Sequence, residues 1–254
     1  MTLRWPAETI WEQVVPLLPG FTVEVLPEID SSNTELMRRA RAGQLEPVLL
    51  VAEHQTAGRG RMGRDWLGSP GATLTFSLGL PLAPADWSGL SLAVGLSVAQ
   101  SLDAELQIKW PNDVWLQKRK LCGILIETAQ FAGVRYAVIG IGINIAPRDA
   151  QGLRTPPAAL MECLPGVDAP AALLRVAQQL VQGIQAFCAH GFKPLRAAYN
   201  ARCALQGHTV VCTDGTTGVC HGVDDAGALL VHTSAGVQRI SSAEVSVRPE
   251  SGTS

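Results

Sequence analysis

The sequence has little charge and no excess of one sign. Only 17% of its 254 residues are charged, and 20 Lys and Arg residues against 22 Asp and Glu residues give a formal net charge of -2. Because proteins grip nucleic acids through clustered positive charge, DNA or RNA is not expected as the main partner. The chain also lacks an apolar run long enough to span a bilayer, and it lacks the basic-then-apolar start of a signal peptide. We therefore expect a cytoplasmic protein without a membrane partner.

Closely spaced cysteine pairs are absent too. No two of the six cysteines form a C-x-x-C pair, and several lie in apolar segments where a reduced thiol acts as a small hydrophobic group, so we interpret them as free thiols. A zinc site in the C-terminal part is the alternative, but the paired spacing of zinc ligands is missing. The residues concerned are Cys122, Cys163, Cys188, Cys203, Cys212 and Cys220, with His208, His221 and His232.

Apolar residues make up 47% of the chain, and their spacing predicts a large α+β domain followed by a small β domain. Strands are predicted over residues 21–29, 48–52, 72–80, 107–110, 120–128 and 134–145, and helices over 33–43, 88–106, 171–189 and 195–203. Asp86 or Ser88 is the expected cap of the second helix, Asn112-Asp113 is an expected turn, and residues 147–170 are expected to be irregular. We place the domains at 1–203 and 204–254 and expect a frayed tail over 251–254.

A loop rich in glycine and arginine, GRGRMGR from Gly58 to Arg64, follows the second predicted strand. Its glycines satisfy G-x-G-x-x-G, yet another strand follows instead of the helix that a dinucleotide fold requires. Glycines let a backbone approach a ligand, and the guanidinium groups of Arg59, Arg61 and Arg64 bind carboxylate or phosphate oxygens. The loop therefore predicts an anionic ligand, with a solvated hairpin tip as the alternative.

Two further segments combine polar groups or glycines with strands. Residues 109–113, KWPND, end a strand in a polar turn, and Lys120 opens the next strand, although turn formation and a solvent-directed lysine would explain both. Gly140 and Gly142 alternate along the last strand, which leaves one face bare. The bare face admits either a ligand or a closely packed helix.

Taken together, these residues resemble the biotin-protein ligases, enzymes that attach biotin to a lysine of a carrier domain. The resemblance rests on five ordered segments: DSSN from Asp30, Gln55 with GRGRMGR, KWPNDVW from Lys109, KLCGILIE from Lys120 and GIGIN from Gly140. It implies a mixed sheet with flanking helices, similar to class II synthetases and biotin/lipoate ligases, plus a small C-terminal SH3-like β-barrel. Ser32 stands where Thr is common, and Met62 where another arginine can occur. About twenty residues before the first strand are too few for a helix-turn-helix module, so we expect a monofunctional enzyme that does not bind DNA.

The resemblance also implies a reaction and a set of site residues. Biotin and ATP would form biotinyl-5'-AMP, and a lysine of a biotin carboxyl carrier protein domain, such as that of acetyl-CoA carboxylase, would accept the biotin. Catalysis would depend on Lys120, Arg61 and Asp113, with Mg2+ arriving on the ATP phosphates near Asp113 and no resident metal. Biotin would be held by Ser31, Ser32, Asn33, Gln55, Arg59, Gly60, Arg61, Lys120 and Gly123. The nucleotide would be held by Arg59, Arg61, Arg64, Trp66, Lys109, Asn112 and Asn144, although Trp66 alone could be a core aromatic.

Two other functions compete with this one. Lipoate-protein ligases share the fold and the carboxyl-adenylate chemistry, and a non-catalytic biotin or nucleotide sensor could keep the pocket without turnover. The combination of GRGRMGR with KWPND favours biotin, and the presence of Lys120, Asp113 and the loop arginines favours catalysis. We expect the loop from Gly58 to Arg64 to be mobile without ligand and to shield the anhydride from water. Dimerisation through a sheet edge is a further possibility.

Overall fold

The protein was analysed as a computed structural model, which describes residues 3–148, 155–241 and 247–249. Its centre is a seven-stranded sheet in the order β1-β2-β3-β7-β6-β5-β4. The strands are β1 (Thr22–Ile29), β2 (Val48–Gln55), β3 (Thr73–Pro81), β4 (Gln107–Lys109), β5 (Asp113–Leu116), β6 (Arg119–Phe131) and β7 (Val134–Asn144). Strands β1 and β2 are parallel, and the other neighbours pair antiparallel. The sheet is therefore mixed, as expected.

Helices cover both faces of this sheet because its strands alternate in side-chain direction. Leu74, Phe76 and Leu78 of β3 belong to the main core, which also contains α1 (Ala7–Val14), α3 (Leu90–Leu102) and α4 (Ala169–His190). On the other face, α2 (Ser32–Arg41) packs in a smaller core with Tyr136 and Val138 of β7. The cleft described below lies on this side of the sheet, beside α2 and the glycines of β7.

The C-terminal part forms a second, antiparallel sheet of five strands in the order β11-β10-β9-β8-β12. Helix α5 (Arg196–Ala201) precedes β8 (Thr209–Cys212), β9 (Thr217–Val223), β10 (Leu229–Thr233), β11 (Gly236–Ile240) and β12 (Val247–Pro249). The predicted small β domain is thus present. It contacts the turn that follows β4, where the buried Trp110 Nε1 donates a hydrogen bond to the Gly227 carbonyl at 3.1 Å.

The six cysteines are free thiols. In the described ranges, no three His, Cys, Asp or Glu side chains come together as candidate metal ligands. Instead, the His221 and His232 rings stack on each other, with their centroids 3.8 Å apart. Nor does any helix of the described residues have the length and apolar character needed to cross a membrane.

Three elements differ from the sequence predictions. Helix α1 and strand β5 were not expected, and α3 begins after Gly89 without a side-chain cap, so neither Asp86 nor Ser88 caps it. It also ends at Leu102, because Asp103 is extended and its carboxylate accepts a hydrogen bond from the Glu105 N–H at 2.8 Å. Asp113 opens strand β5 and does not lie within a turn. The expected frayed tail lies outside the described residues, as do residues 149–154 of the expected irregular segment.

Candidate active site

An open cleft lies between α2, the arginine loop and the ends of β4 to β7. It encloses about 920 Å³ of empty space, open solvent included, which suits a small-molecule site. Every residue predicted for the site except Asn144 lines this cleft. The lining includes Ser31, Ser32, Asn33, Gln55, Arg59, Gly60, Arg61, Arg64, Trp66, Lys109, Asn112, Asp113, Lys120 and Gly123.

One end of the cleft is a chain of buried hydrogen bonds that begins at Gln55, the last residue of β2. The Gln55 Oε1 atom accepts from the Ser32 backbone N–H at 2.7 Å and from the Ser32 hydroxyl at 3.0 Å. The Ser77 hydroxyl lies 2.7 Å from the Ser32 hydroxyl and donates to Asn33 Oδ1 at 2.6 Å. Asn33 Nδ2 donates to the Glu127 carboxylate at 2.9 Å. Because buried polar groups in such a chain are satisfied by one another, their orientations are fixed before a ligand arrives.

Ser31 anchors this end of the cleft from the start of α2. It is the N-cap residue, and its hydroxyl accepts the Thr34 N–H at 3.4 Å. Its own N–H donates to Asp30 Oδ1 at 2.8 Å. The DSSN segment therefore has a local structural role as a helix start, and it also directs its polar groups to the cleft.

The floor of the cleft is the bare strand face. Gly123 and Gly142 are paired across β6 and β7, and Gly140 follows on the same face. A Cβ atom added to Gly140 would lie 2.2 Å from Asn33 Oδ1, and one added to Gly142 would lie 2.2 Å from Trp66 Cε2. The glycines thus admit both a side chain of a closely packed helix and the indole of the loop.

The arginine loop is a short hairpin between β2 and β3. The Trp66 N–H donates to the Gly58 carbonyl at 2.9 Å, and the Gly60 N–H donates to the Arg64 carbonyl at 2.7 Å. A Cβ atom at Gly58 would lie 2.4 Å from the Trp66 carbonyl oxygen, so only glycine fits there. Met62 at the tip has φ of 57° and is 76% exposed. The loop joins two strands, as predicted.

The cleft has an excess of positive charge. Five cationic side chains line it, against the carboxylates of Asp65 and Asp113. The Lys120 Nζ atom lies 2.7 Å from Asp113 Oδ1, where the two residues form an ion pair. Burial lowers the pKa of the Arg61 guanidinium; the Asp113 carboxylate opposes this shift, and Arg64 adds to it. Such a cluster favours a bound anion, whose charge would relieve the repulsion among the cations.

Two predicted asparagines already donate hydrogen bonds to the backbone. Asn112 Nδ2 donates to the Ile124 carbonyl at 2.9 Å, and Asn144 Nδ2 donates to the Lys120 carbonyl at 3.1 Å. Asn144 is buried and lies outside the lining of the cleft, but its Oδ1 atom has no hydrogen-bond partner among the described residues. The same is true of Trp66 Nε1. Buried polar atoms without partners are uncommon in native structures, so both are candidates for ligand contacts.

Three side chains that contact residues of the cleft without lining it were not predicted from the sequence. Ser77 belongs to the hydrogen-bond chain, Glu127 accepts hydrogen bonds from Asn33 and from Arg59, the latter at 2.6 Å, and Arg148 contacts Trp66. The alternation of side chains along a strand could have indicated Ser77 and Glu127, because Ser77 shares a face with Thr75 and Glu127 shares one with Gly123. No pattern in the sequence indicated the contact of Arg148.

Comparison with known proteins shows the family. A model of the biotin/lipoate A/B protein ligase family matches residues 25–144, and a model of the biotin protein ligase C-terminal domain matches residues 209–248. The chain is 36% identical to a biotin--[acetyl-CoA-carboxylase] ligase of Paracoccus denitrificans over 87% of this chain and 98% of that protein. The chain belongs to the biotin protein ligase family. It is also 34% identical to the bifunctional ligase/repressor BirA of Escherichia coli over 93% of this chain and 77% of that protein.

Solved biotin protein ligases share the fold. The enzyme of Aquifex aeolicus in complex with biotin and ATP has a TM-score of 0.77 and 29% identity, over 90% of this chain and 99% of that chain. The predicted architecture, a mixed sheet with flanking helices and a small SH3-like C-terminal domain, is confirmed by this similarity and by the match of the C-terminal model. The same biotin protein ligase family was identified from the five sequence segments, and that identification is confirmed.

Proposed function

We propose that this biotin protein ligase activates biotin with ATP to biotinyl-5'-AMP and transfers the biotin to a lysine of a carrier domain. The observation that carries the proposal is one cleft in which a prepared hydrogen-bond chain adjoins a cluster of five cations. A neutral polar head and a carboxylate at opposite ends of one small molecule would match these two regions. The names of the relatives, which are biotin ligases, support biotin over lipoate.

The polar end is proposed to bind the ureido ring of biotin. A ureido group offers two N–H donors and one carbonyl acceptor, and the hydrogen-bond chain presents hydroxyl, carboxamide and backbone groups of both kinds. The proposed contacts are the side chains of Ser31, Ser32, Asn33 and Gln55, together with the backbone of Arg59 and Gly60. Gly123 would lie against the apolar body of the substrate.

The cationic end is proposed to carry the first reaction. A biotin carboxylate oxygen forms a bond to the α-phosphorus of ATP, the bond from that phosphorus to the bridging oxygen breaks, and pyrophosphate leaves. Both reactants are anions, so Lys120 and Arg61 would neutralise the carboxylate and stabilise charge on the phosphoryl oxygens. Asp113 lies 2.7 Å from Lys120 Nζ and would hold that ammonium group in place.

Magnesium would arrive with the nucleotide. Asp113 and Asp65 are the carboxylates that line the cleft, too few oxygen ligands for a protein cage, which fits an ion held chiefly by phosphates. Bound there, Mg2+ would neutralise phosphate charge. Arg59, Arg64 and Lys109 are proposed phosphate contacts. Trp66 is proposed to stack on adenine, with Asn144 and Asn112 as polar contacts.

In the second step the carrier lysine nitrogen attacks the acyl carbon of biotinyl-5'-AMP. The bond from that carbon to the phosphate oxygen breaks, AMP leaves and the nitrogen loses a proton. We propose a biotin carboxyl carrier protein domain as the acceptor, because relatives are named as ligases of acetyl-CoA carboxylase.

ATP and buried free thiols are compatible with a cytoplasmic location. A homodimer is a further proposal, and so is the division into domains 1–203 and 204–254, which fits the separate sheets.

Three measurements test the proposed function. Calorimetric titration with biotin and with lipoate separates the two carboxylic acids, and biotin-dependent exchange of pyrophosphate into ATP reports the adenylate. Labelling of a purified carrier domain with ATP reports transfer. We expect biotin binding, exchange and labelling. Preference for lipoate would indicate a lipoate ligase, and biotin binding without exchange would indicate a sensor.

A further inference from the structure

Arg148 makes two contacts with the loop that carries Trp66. It lies just after β7, and its guanidinium carbon is 5.9 Å from the centroid of the Trp66 ring. Its Nη1 atom donates a hydrogen bond to the Leu67 carbonyl. One side chain therefore contacts both the ring of residue 66 and the backbone of the next residue. Because a guanidinium group is planar and carries its donors in a rigid fork, it can make both contacts at once.

Burial at this position has a cost. The Arg148 side chain is half-buried, and this burial lowers its pKa. A charged side chain that loses water is normally compensated by nearby acceptors or rings. Among the described residues, the Leu67 carbonyl and the Trp66 ring supply such contacts for Arg148.

Trp66 itself has few directional contacts. Its ring lies on the Gly142 backbone, and a second cation, Lys120 Nζ, is 5.9 Å from its centroid. Its Nε1 atom is buried without a hydrogen-bond partner among the described residues. Among the described residues, the indole is thus held by packing on a bare strand and by the two cations, while the Trp66 backbone N–H donates to the Gly58 carbonyl.

We propose that Arg148 is a positioning residue for the nucleotide and acts by holding Trp66 and Leu67 against the glycine face. This inference rests on the proposed function, in which Trp66 stacks on adenine. In the part of the chain that the structure describes, Arg148 contacts Leu67 and Trp66 and makes no hydrogen bond with the chain around Ser32 and Asn33. Its loss should therefore weaken nucleotide binding and leave biotin binding intact.

The test is a set of single and double variants of the 254-residue chain. For Arg148→Ala we expect about a tenfold rise in the KM for ATP in pyrophosphate exchange, of the size of one lost charge-assisted hydrogen bond, with kcat and the Kd for biotin close to wild type. Arg148→Lys retains the charge without the planar fork and should give an intermediate KM. Arg175→Ala on the exposed surface of α4 is the matched arginine control and should match wild type.

The double variant decides how Arg148 acts. If it works through Trp66, adding Arg148→Ala to Trp66→Ala should raise the KM for ATP no further. Additive effects would overturn the inference and indicate direct contact with the nucleotide, and an unchanged KM in the single variant would overturn it outright. Calorimetric titration with a non-hydrolysable ATP analogue repeats the comparison without turnover. A wild-type chain that binds the analogue but shows no exchange would then refute the proposed function alone.

Discussion

A methyl group added at Gly142 should disturb the site without unfolding the protein. Its Cβ atom would lie 2.2 Å from Trp66 Cε2 and 2.4 Å from Cζ2, whereas ordinary contacts begin at 3.4 Å. To restore an ordinary contact the ring must move by about 1.2 Å, the difference between 3.4 and 2.2 Å. Displacements of about 1 Å at a reacting centre can cost about 100-fold in rate. We expect Gly142→Ala to reduce kcat/KM for ATP by about 10- to 100-fold, while the extended backbone of β7 accepts alanine.

The assay is biotin-dependent pyrophosphate exchange, with thermal unfolding as the measure of stability. Gly95→Ala is the matched control, since Gly95 is buried in α3 and the added Cβ atom would meet Ile108 and Ile124 at 3.4 and 3.5 Å. That control should keep wild-type kinetics. In a Trp66→Ala background the obstacle is gone, so Gly142→Ala should add little. Wild-type kinetics for Gly142→Ala, or an equal loss in both backgrounds, would refute the reasoning.

Three other predictions address separate parts of the cleft. Lys120→Ala should slow adenylate formation by about 1,000-fold, because the cation that neutralises the carboxylate is lost. Near-normal pyrophosphate exchange would contradict this. The control is Lys193→Ala, which removes an exposed lysine that pairs with Asp225. Ser77→Ala leaves Asn33 Oδ1 without its donor, and a loss of about 1–3 kcal/mol for an unsatisfied buried group predicts about 5- to 150-fold weaker biotin binding by calorimetry. Ser101→Ala in α3 removes a similar hydroxyl outside the cleft and should not alter biotin affinity. The amides of Gly58 to Arg64 should exchange rapidly without ligand and become protected by biotinyl-5'-AMP; equal protection in both states would show that the loop is not a mobile lid.

Sequence patterns such as apolar periodicity predicted most of the fold, because they arise from interactions between residues that are close in the chain. The 22-residue helix α4 and strand β7 follow from apolar periodicity alone. Strand β5 was missed because Gln117 and Lys118 form its turn at positive φ, where glycine or asparagine would be the usual signal. The site depended on recognition of ordered segments, since the pairing of Gly123 with Gly142 and the approach of Arg148 to Trp66 join distant parts of the chain.

Trp66 lies on the glycine-bearing face of β7. From the sequence, the bare face was open to a ligand or to a closely packed helix. In the structure Gly140 admits Asn33 from α2 and Gly142 admits the Trp66 indole, so protein side chains lie directly on both glycines. A methyl group at either position would first displace a proposed ligand contact, biotin through Asn33 and the nucleotide through Trp66. The two glycines therefore set how closely Asn33 and Trp66 approach the sheet within the one cleft, and we expect the proposed attack of the biotin carboxylate on the α-phosphate between them, beside Gly123 and Lys120.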